Sequence, residues 1–145
     1  MNAEVKNEMN IDVKNIGDFL KSHGIRPSYP RVKIYEYLIR HKNHPTVDMI
    51  YNSLADVIPS LSKTTVYNTL NMFVDKNVAI VLEMNDSEAR YDADVSLHGH
   101  FRCVKCGSIY DFNLDSSDFR PRGLDNFLVS EVQVTCKGIC AGCRT

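Results

Sequence analysis

The sequence predicts an α+β chain, helical in its first half and β-rich with paired cysteines in its second. Three observations predict it. Apolar residues recur at helical spacing between Ile11 and Asn77. Two extended runs, "VAIVLEM" and "ARYDAD", then flank the polar "NDSEA" as a hairpin would. Beyond about Ala93, strand-like runs surround two Cys-x2-Cys pairs.

The elements follow in order. From Ile11 to Lys21, residues Ile16, Phe19 and Leu20 share a face, and Gly24 stops a first helix. Pro30 in "RPSYPR" suits a first helical position, and Val32, Tyr35, Leu38 and Ile39 carry a second helix to about Arg40. Thr46 can cap a third helix with the stripe Val47, Ile50, Tyr51 and Leu54, which Pro59 breaks. Ser62 can cap a fourth, in which Val66, Leu70, Phe73 and Val74 share one face and Asn77 marks the end. Helices with a short turn before the last, followed by a hairpin, outline a winged helix-turn-helix.

In the second part, "HGHFRC" and "SIYDFNL" read as strands on either side of "CVKC", and "DFRPRGLDNFL" can hold a short helix. In "LVSEVQVTC", Leu128, Val132, Val134 and Cys136 fall on one face of a strand that Ser130 interrupts. The change of character divides the chain into residues 1–92 and 93–145.

At 145 residues the chain fits one ordinary domain or two small ones, and each small one would want a staple. No apolar run approaches the roughly 20 residues of a membrane span. The N-terminal "MNAEVKNEMNIDVKN" is polar and lacks a signal-peptide stretch, so a cytoplasmic location is expected. Thiols stay reduced there, and five Cys then point to metal or redox chemistry rather than disulfides. A net charge of −1 excludes a wholly basic surface, so any nucleic-acid site must be a local patch.

Lys63, Thr64, Thr65, Tyr67 and Asn68 lie at or near the N-terminal end of the fourth helix, where a helix-turn-helix enters the major groove. Their side chains suit phosphates and base edges. They equally suit a solvated polar face. Residues 21–76 carry eight Lys and Arg against four Asp and Glu, an excess too small to identify a DNA binder by charge.

Cys103 and Cys106, with Cys140 and Cys143, form two Cys-x2-Cys pairs separated by 33 residues. Two such pairs match a closed, tetrahedral, structural Zn²⁺ site, which could staple a half-domain of this size. Cys136 offers an alternative Cys-x3-Cys with Cys140, but its place among apolar residues reads as a small buried hydrophobe. His98 and His100, at i and i+2, point to one side of a strand, with Asp92 before them and Asp111 after the knuckle. Imidazole with carboxylate suits Fe²⁺, Mn²⁺ or Zn²⁺, although a surface His pair without a metal is an open alternative. His44, in "HPT", reads as a helix-entry residue, and His23 and His41 as surface residues.

With these segments together, "HPTVDMIY", "SKTTVYNTL", "RYDAD…HGHFRCVKCGSIYDF" and "GICAGC", the chain resembles the ferric uptake regulator (Fur) family of metal-dependent repressors from about residue 16 to 143. It is most similar to the peroxide-sensing PerR branch, through Asn68 in "TVYN", where iron sensors usually carry Arg, and Asp111, where they usually carry Glu. The resemblance implies a winged-helix DNA-binding domain and a C-terminal α/β dimerisation domain. It implies a structural zinc on Cys103, Cys106, Cys140 and Cys143, and a regulatory Fe²⁺ or Mn²⁺ on His44, Asp92, His98, His100 and Asp111. A third site found in many relatives is expected to be absent, because Val132 stands where a later His would be, and Cys136 is outside the family's usual set.

The expected function is therefore a homodimeric repressor on a double-stranded operator, an AT-rich palindrome, with hydrogen peroxide as its signal and His44 and His98 as the oxidation targets. The nearest alternative is an iron- or manganese-responsive repressor of the same family. An enzyme is not expected, since no nucleophile–base pair and no Glu placed as in H-E-x-x-H is present. A zinc-stapled interaction module without a DNA role is a third reading.

Overall fold

A computed structural model describes residues 12–83, 88–114 and 121–145. The chain divides into two compact units, residues 1–95 and 96–145.

In the first unit a 3-10 turn, Val13–Asn15, leads into α1, Ile16–Ser22; Ile11, expected to begin this helix, lies outside the described residues. Gly24 follows at φ +76°, a left-handed conformation that costs glycine little. Helix α2 spans Tyr29–His41. Ser28 caps it by accepting from the N–H of Arg31, so Pro30 stands second in the helix rather than first. Thr46 caps α3, Val47–Leu54, through the N–H of Met49 at 3.2 Å. Ser62 caps α4, Lys63–Asp75, through the N–H of Thr65 at 3.1 Å. Asn77 then turns the chain at φ +58°.

Strands β1, Ile80–Leu82, and β2, Arg90–Asp92, pair antiparallel with Val81 opposite Tyr91. The turn expected between them falls largely on residues outside those described. Ile16, Leu20, Ile34, Tyr35, Ile50, Val66, Leu70, Phe73, Val78 and Tyr91 make one continuous buried core. Its members follow the i, i+3, i+4 stripes of the four helices and the inner face of the hairpin. Tyr35 buries its ring edge-on to Phe73 and donates its hydroxyl to the Val78 carbonyl at 3.2 Å, so its one polar atom is satisfied.

The second unit is a three-stranded sheet in the order β4-β3-β5. Strands β3, Gly99–Cys103, and β4, Ile109–Phe112, are antiparallel, with His100 opposite Asp111. Strand β5, Val134–Gly138, runs parallel to β3 and forms an edge. Gly99 has a packing reason: a Cβ there would run into the ring of Phe112, its cross-strand partner.

Three expectations need correction here. Strand β5 begins only at Val134, so Leu128 and Val132 are not on it, and Leu128 is 94% exposed. Cys136 is exposed rather than buried, because nothing in the described chain covers that face of an edge strand. The short helix looked for in 118–128 is not seen at 121–128, the part that is described. The helical element of the described second unit is instead a 3-10 turn, Ala141–Cys143.

Candidate functional site

Two tight turns bring the cysteines together. After β3 the chain reverses through Cys103-Val-Lys-Cys106 with Gly107 at φ +75°, and the Gly107 N–H donates to the Cys103 carbonyl at 2.9 Å. After β5 the 3-10 turn Ala141–Cys143 lifts Cys143 back beside Cys140. The four sulfurs of Cys103, Cys106, Cys140 and Cys143 all lie within 4.8 Å of one another, with Cys106 Sγ 3.9 Å from Cys140 Sγ. Four sulfurs at about 2.3 Å from a shared tetrahedral ion would stand about 3.8 Å apart, so the set fits a zinc ion.

The electrostatics agree. The backbone N–H groups of Cys106 and Cys140 point at Cys103 Sγ, at 3.5 and 3.4 Å, and hold that thiol down to about 6. Cys143 is pushed up to about 12, first by the thiol of Cys140 and then by that of Cys106. One sulfur is thus ready to be a thiolate while another resists becoming one.

The His and Asp residues are arranged within each unit. In the first, His44 Nε2 lies 3.5 Å from Asp92 Oδ2, and His44 is only 6% exposed. In the second, His100 Nε2 is 3.2 Å and His98 Nε2 3.6 Å from Asp111 Oδ1. The β3–β4 register places His100 across from Asp111, and the two imidazole centroids are 4.4 Å apart. His98 stands one residue before β3. Its Nδ1 is 2.8 Å from the Ser96 carbonyl, which can only accept, so the Nδ1–H donates there and turns Nε2 toward Asp111. His23 and His41 are exposed, as expected.

Helix α4 packs its apolar stripe against α3 and α2 and leaves Lys63, Thr64, Thr65, Tyr67 and Asn68 exposed. Two of these are engaged locally. Lys63 Nζ is 3.1 Å from Asp48 Oδ1, and the Thr65 hydroxyl shares the Ser62 cap at 2.9 Å. A cleft of about 570 Å³ opens beside this face, lined by Arg26, Ser28, Arg31, Thr65, Asn68 and Met72 among others. Nothing in the sequence pattern singles out the two arginines of "RPSYPR". Only the packing of α2 on α4 brings them next to Asn68.

The description of the ferric uptake regulator family matches residues 22–134. The chain belongs to the ferric uptake regulator family. Among curated relatives, the peroxide-responsive repressor PerR of Staphylococcus epidermidis is 34% identical over 128 residues, covering 86% of this chain and 85% of that protein. The peroxide operon regulator of Bacillus subtilis is 34% identical over 135 residues, 91% of this chain and 93% of its own. Among solved structures, PerR from Streptococcus pyogenes matches with a TM-score of 0.52 and 32% identity, over 90% of this chain and 92% of that one. The Fur protein of Helicobacter pylori matches with a TM-score of 0.71 over 92% of this chain and 95% of that one. Its identity is 22%, so this likeness speaks for the fold alone. Among the described residues no helix of this Fur-family chain is long and apolar enough to cross a membrane.

Proposed function

We propose that this protein is a metal-dependent transcriptional repressor that responds to hydrogen peroxide. The observation that carries the reading is the chain's 34% identity to peroxide-responsive repressors over most of both sequences. The donor sets support it. In this reading residues 1–92 bind the operator, an AT-rich palindrome, through Lys63, Thr64, Thr65, Tyr67 and Asn68. Residues 93–145 form the homodimer. The edge strand β5 and the exposed side chains of Phe127, Leu128 and Val129 support a second copy as the partner of that unit.

Cys103, Cys106, Cys140 and Cys143 would hold a structural Zn²⁺. Four thiolates leave no open position, so the site is closed to chemistry and serves the fold. His44 and Asp92, with His98, His100 and Asp111, would hold the regulatory Fe²⁺ or Mn²⁺, for which imidazole and carboxylate are suitable donors. These side chains do not by themselves close the site as the four cysteines close theirs. Because the donors come from both units, filling the set links them, and DNA affinity becomes tied to metal occupancy.

Held by these residues, Fe²⁺ would supply the one-electron reduction of hydrogen peroxide. In this reading His44 and His98 would be the rings oxidised. An imidazole that gains oxygen is a poorer donor, so its loss unlinks the units and releases the operator. Mn²⁺ would support repression without that sensitivity.

Mass spectrometry of Fe²⁺-loaded protein after peroxide tests the sensing claim, and absence of added oxygen on peptides containing His44 or His98 would refute it. The iron- or manganese-responsive alternative separates at Asp111. Asp111→Glu should blunt the peroxide response of operator binding in a gel shift while leaving its Mn²⁺ dependence.

A further inference from the structure

His44 has an unusual backbone. It takes φ +48°, in the left-handed region that a side chain with a Cβ seldom adopts, and it precedes Pro45, which favours extended conformations at the position before it. Such a conformation persists only where the surroundings over-determine it.

Three consecutive residues of β2 hold it in place. The Arg90 guanidinium donates from Nη1 to the His44 carbonyl at 3.2 Å. The Tyr91 N–H donates to the Pro45 carbonyl at 3.0 Å. The Asp92 carboxylate lies 3.5 Å from the His44 imidazole. Arg90 and Asp92 are at i and i+2, so they leave the strand on one side, and Tyr91 between them is anchored in the core at 1% exposure. Pairing with β1, Arg90 opposite Leu82 and Asp92 opposite Ile80, fixes the strand itself. The grip on His44 is therefore set by a sheet register and a buried ring.

We infer that Arg90 is a positioning residue for the regulatory site: its guanidinium holds the His44 peptide in the left-handed conformation that presents the imidazole beside Asp92. A charged donor on a carbonyl makes a stronger bond than a neutral one, and without it the His44–Pro45 corner is free to relax toward the extended conformation. Asp92 would keep its place, so the two donors of this unit would separate. The inference rests on the reading of His44 as a metal ligand, but its structural half does not need the metal.

Two measurements on the full zinc-loaded chain test it. The first is NMR without regulatory metal. In Arg90→Ala the His44 backbone shifts and HN–Hα coupling should leave left-handed values while the core signals of Tyr35 and Phe73 stay put. Unchanged His44 values would overturn the inference. The second is Mn²⁺ titration. Arg90→Ala should weaken binding about 10–100-fold, the range for residues that orient a ligand, and should weaken it no further in a His44→Ala background. An equal loss in both backgrounds would overturn the inference. Arg90→Met keeps the packing of the stem and removes only the donor, so it serves in the same two measurements should Arg90→Ala not fold. Absence of any Mn²⁺ binding by the unsubstituted protein would fall on the metal-site reading, while the NMR result would still decide Arg90's hold on His44.

Discussion

The two units solve the problem of staying folded in different ways. The first buries a continuous set of Ile, Leu, Val, Phe and Tyr from four helices and a hairpin. In the second, the buried apolar side chains among the described residues are Cys103 and Cys140. Many of its larger apolar groups, among them Val104, Tyr110, Phe127, Leu128, Val129 and Ile139, are exposed in the single chain, and Phe101, Ile109 and Phe112 are only half-buried. A unit of about fifty residues with so little core is not expected to stand on hydrocarbon burial. It needs a cross-link at one end and a cover on its open face. The cysteine cluster supplies the first, and a second copy would supply the other.

That contrast can be broken from either side. The largest expected effect is at the cysteines. Cys103→Ser, or stripping zinc with a strong chelator, should unfold the second unit and abolish dimers, since structural zinc in small folds contributes about 10–16 kcal/mol of apparent binding energy. Circular dichroism should keep the helical signal of the first unit, and size-exclusion chromatography should report a monomer. Loss of all helicity would mean that the first unit leans on the second.

Phe73→Ala is the reciprocal test. Phe73 is fully buried and edge-on to Tyr35, and its truncation should cost about 3–5 kcal/mol in urea denaturation. Zinc content should be unchanged. Ser62→Ala is smaller, about 1 kcal/mol, because it removes only the cap of α4. It should also loosen the exposed face of that helix, measurable as faster amide exchange at Thr65. Leu128→Ser is the mildest for the single chain. At 94% exposure it should change unfolding energy by no more than about 0.5 kcal/mol, yet weaken the dimer in sedimentation measurements if that face is covered by a second copy.

How much was legible beforehand follows the same division. In the first unit the caps Thr46 and Ser62 and the apolar stripes fix the helices, because a helix is specified by residues three and four apart, while the Ser28 cap shows only in the structure. The hairpin was legible for the same local reason. In the second unit the cysteine pairs are plain as a motif, but the apolar pattern starts β5 too early and points Cys136 inward, where the structure has it exposed. An edge strand in a thin sheet has no buried face to impose an alternating pattern, so its composition misleads.

The sequence by itself determined the helices, the two Cys-x2-Cys pairs, and the residue types gathered in Asp92–Asp111. Tertiary structure alone decided which of them meet. The β3–β4 register sets His100 against Asp111. The β2 strand bends His44 into a left-handed conformation between Arg90 and Asp92. The packing of α2 on α4 brings Arg26 and Arg31 beside Asn68. The last two join residues far apart in the chain, the first depends on a strand register, and no local periodicity encodes such meetings. They are fixed by which faces are buried and which strands pair, and that is settled only when the whole unit folds.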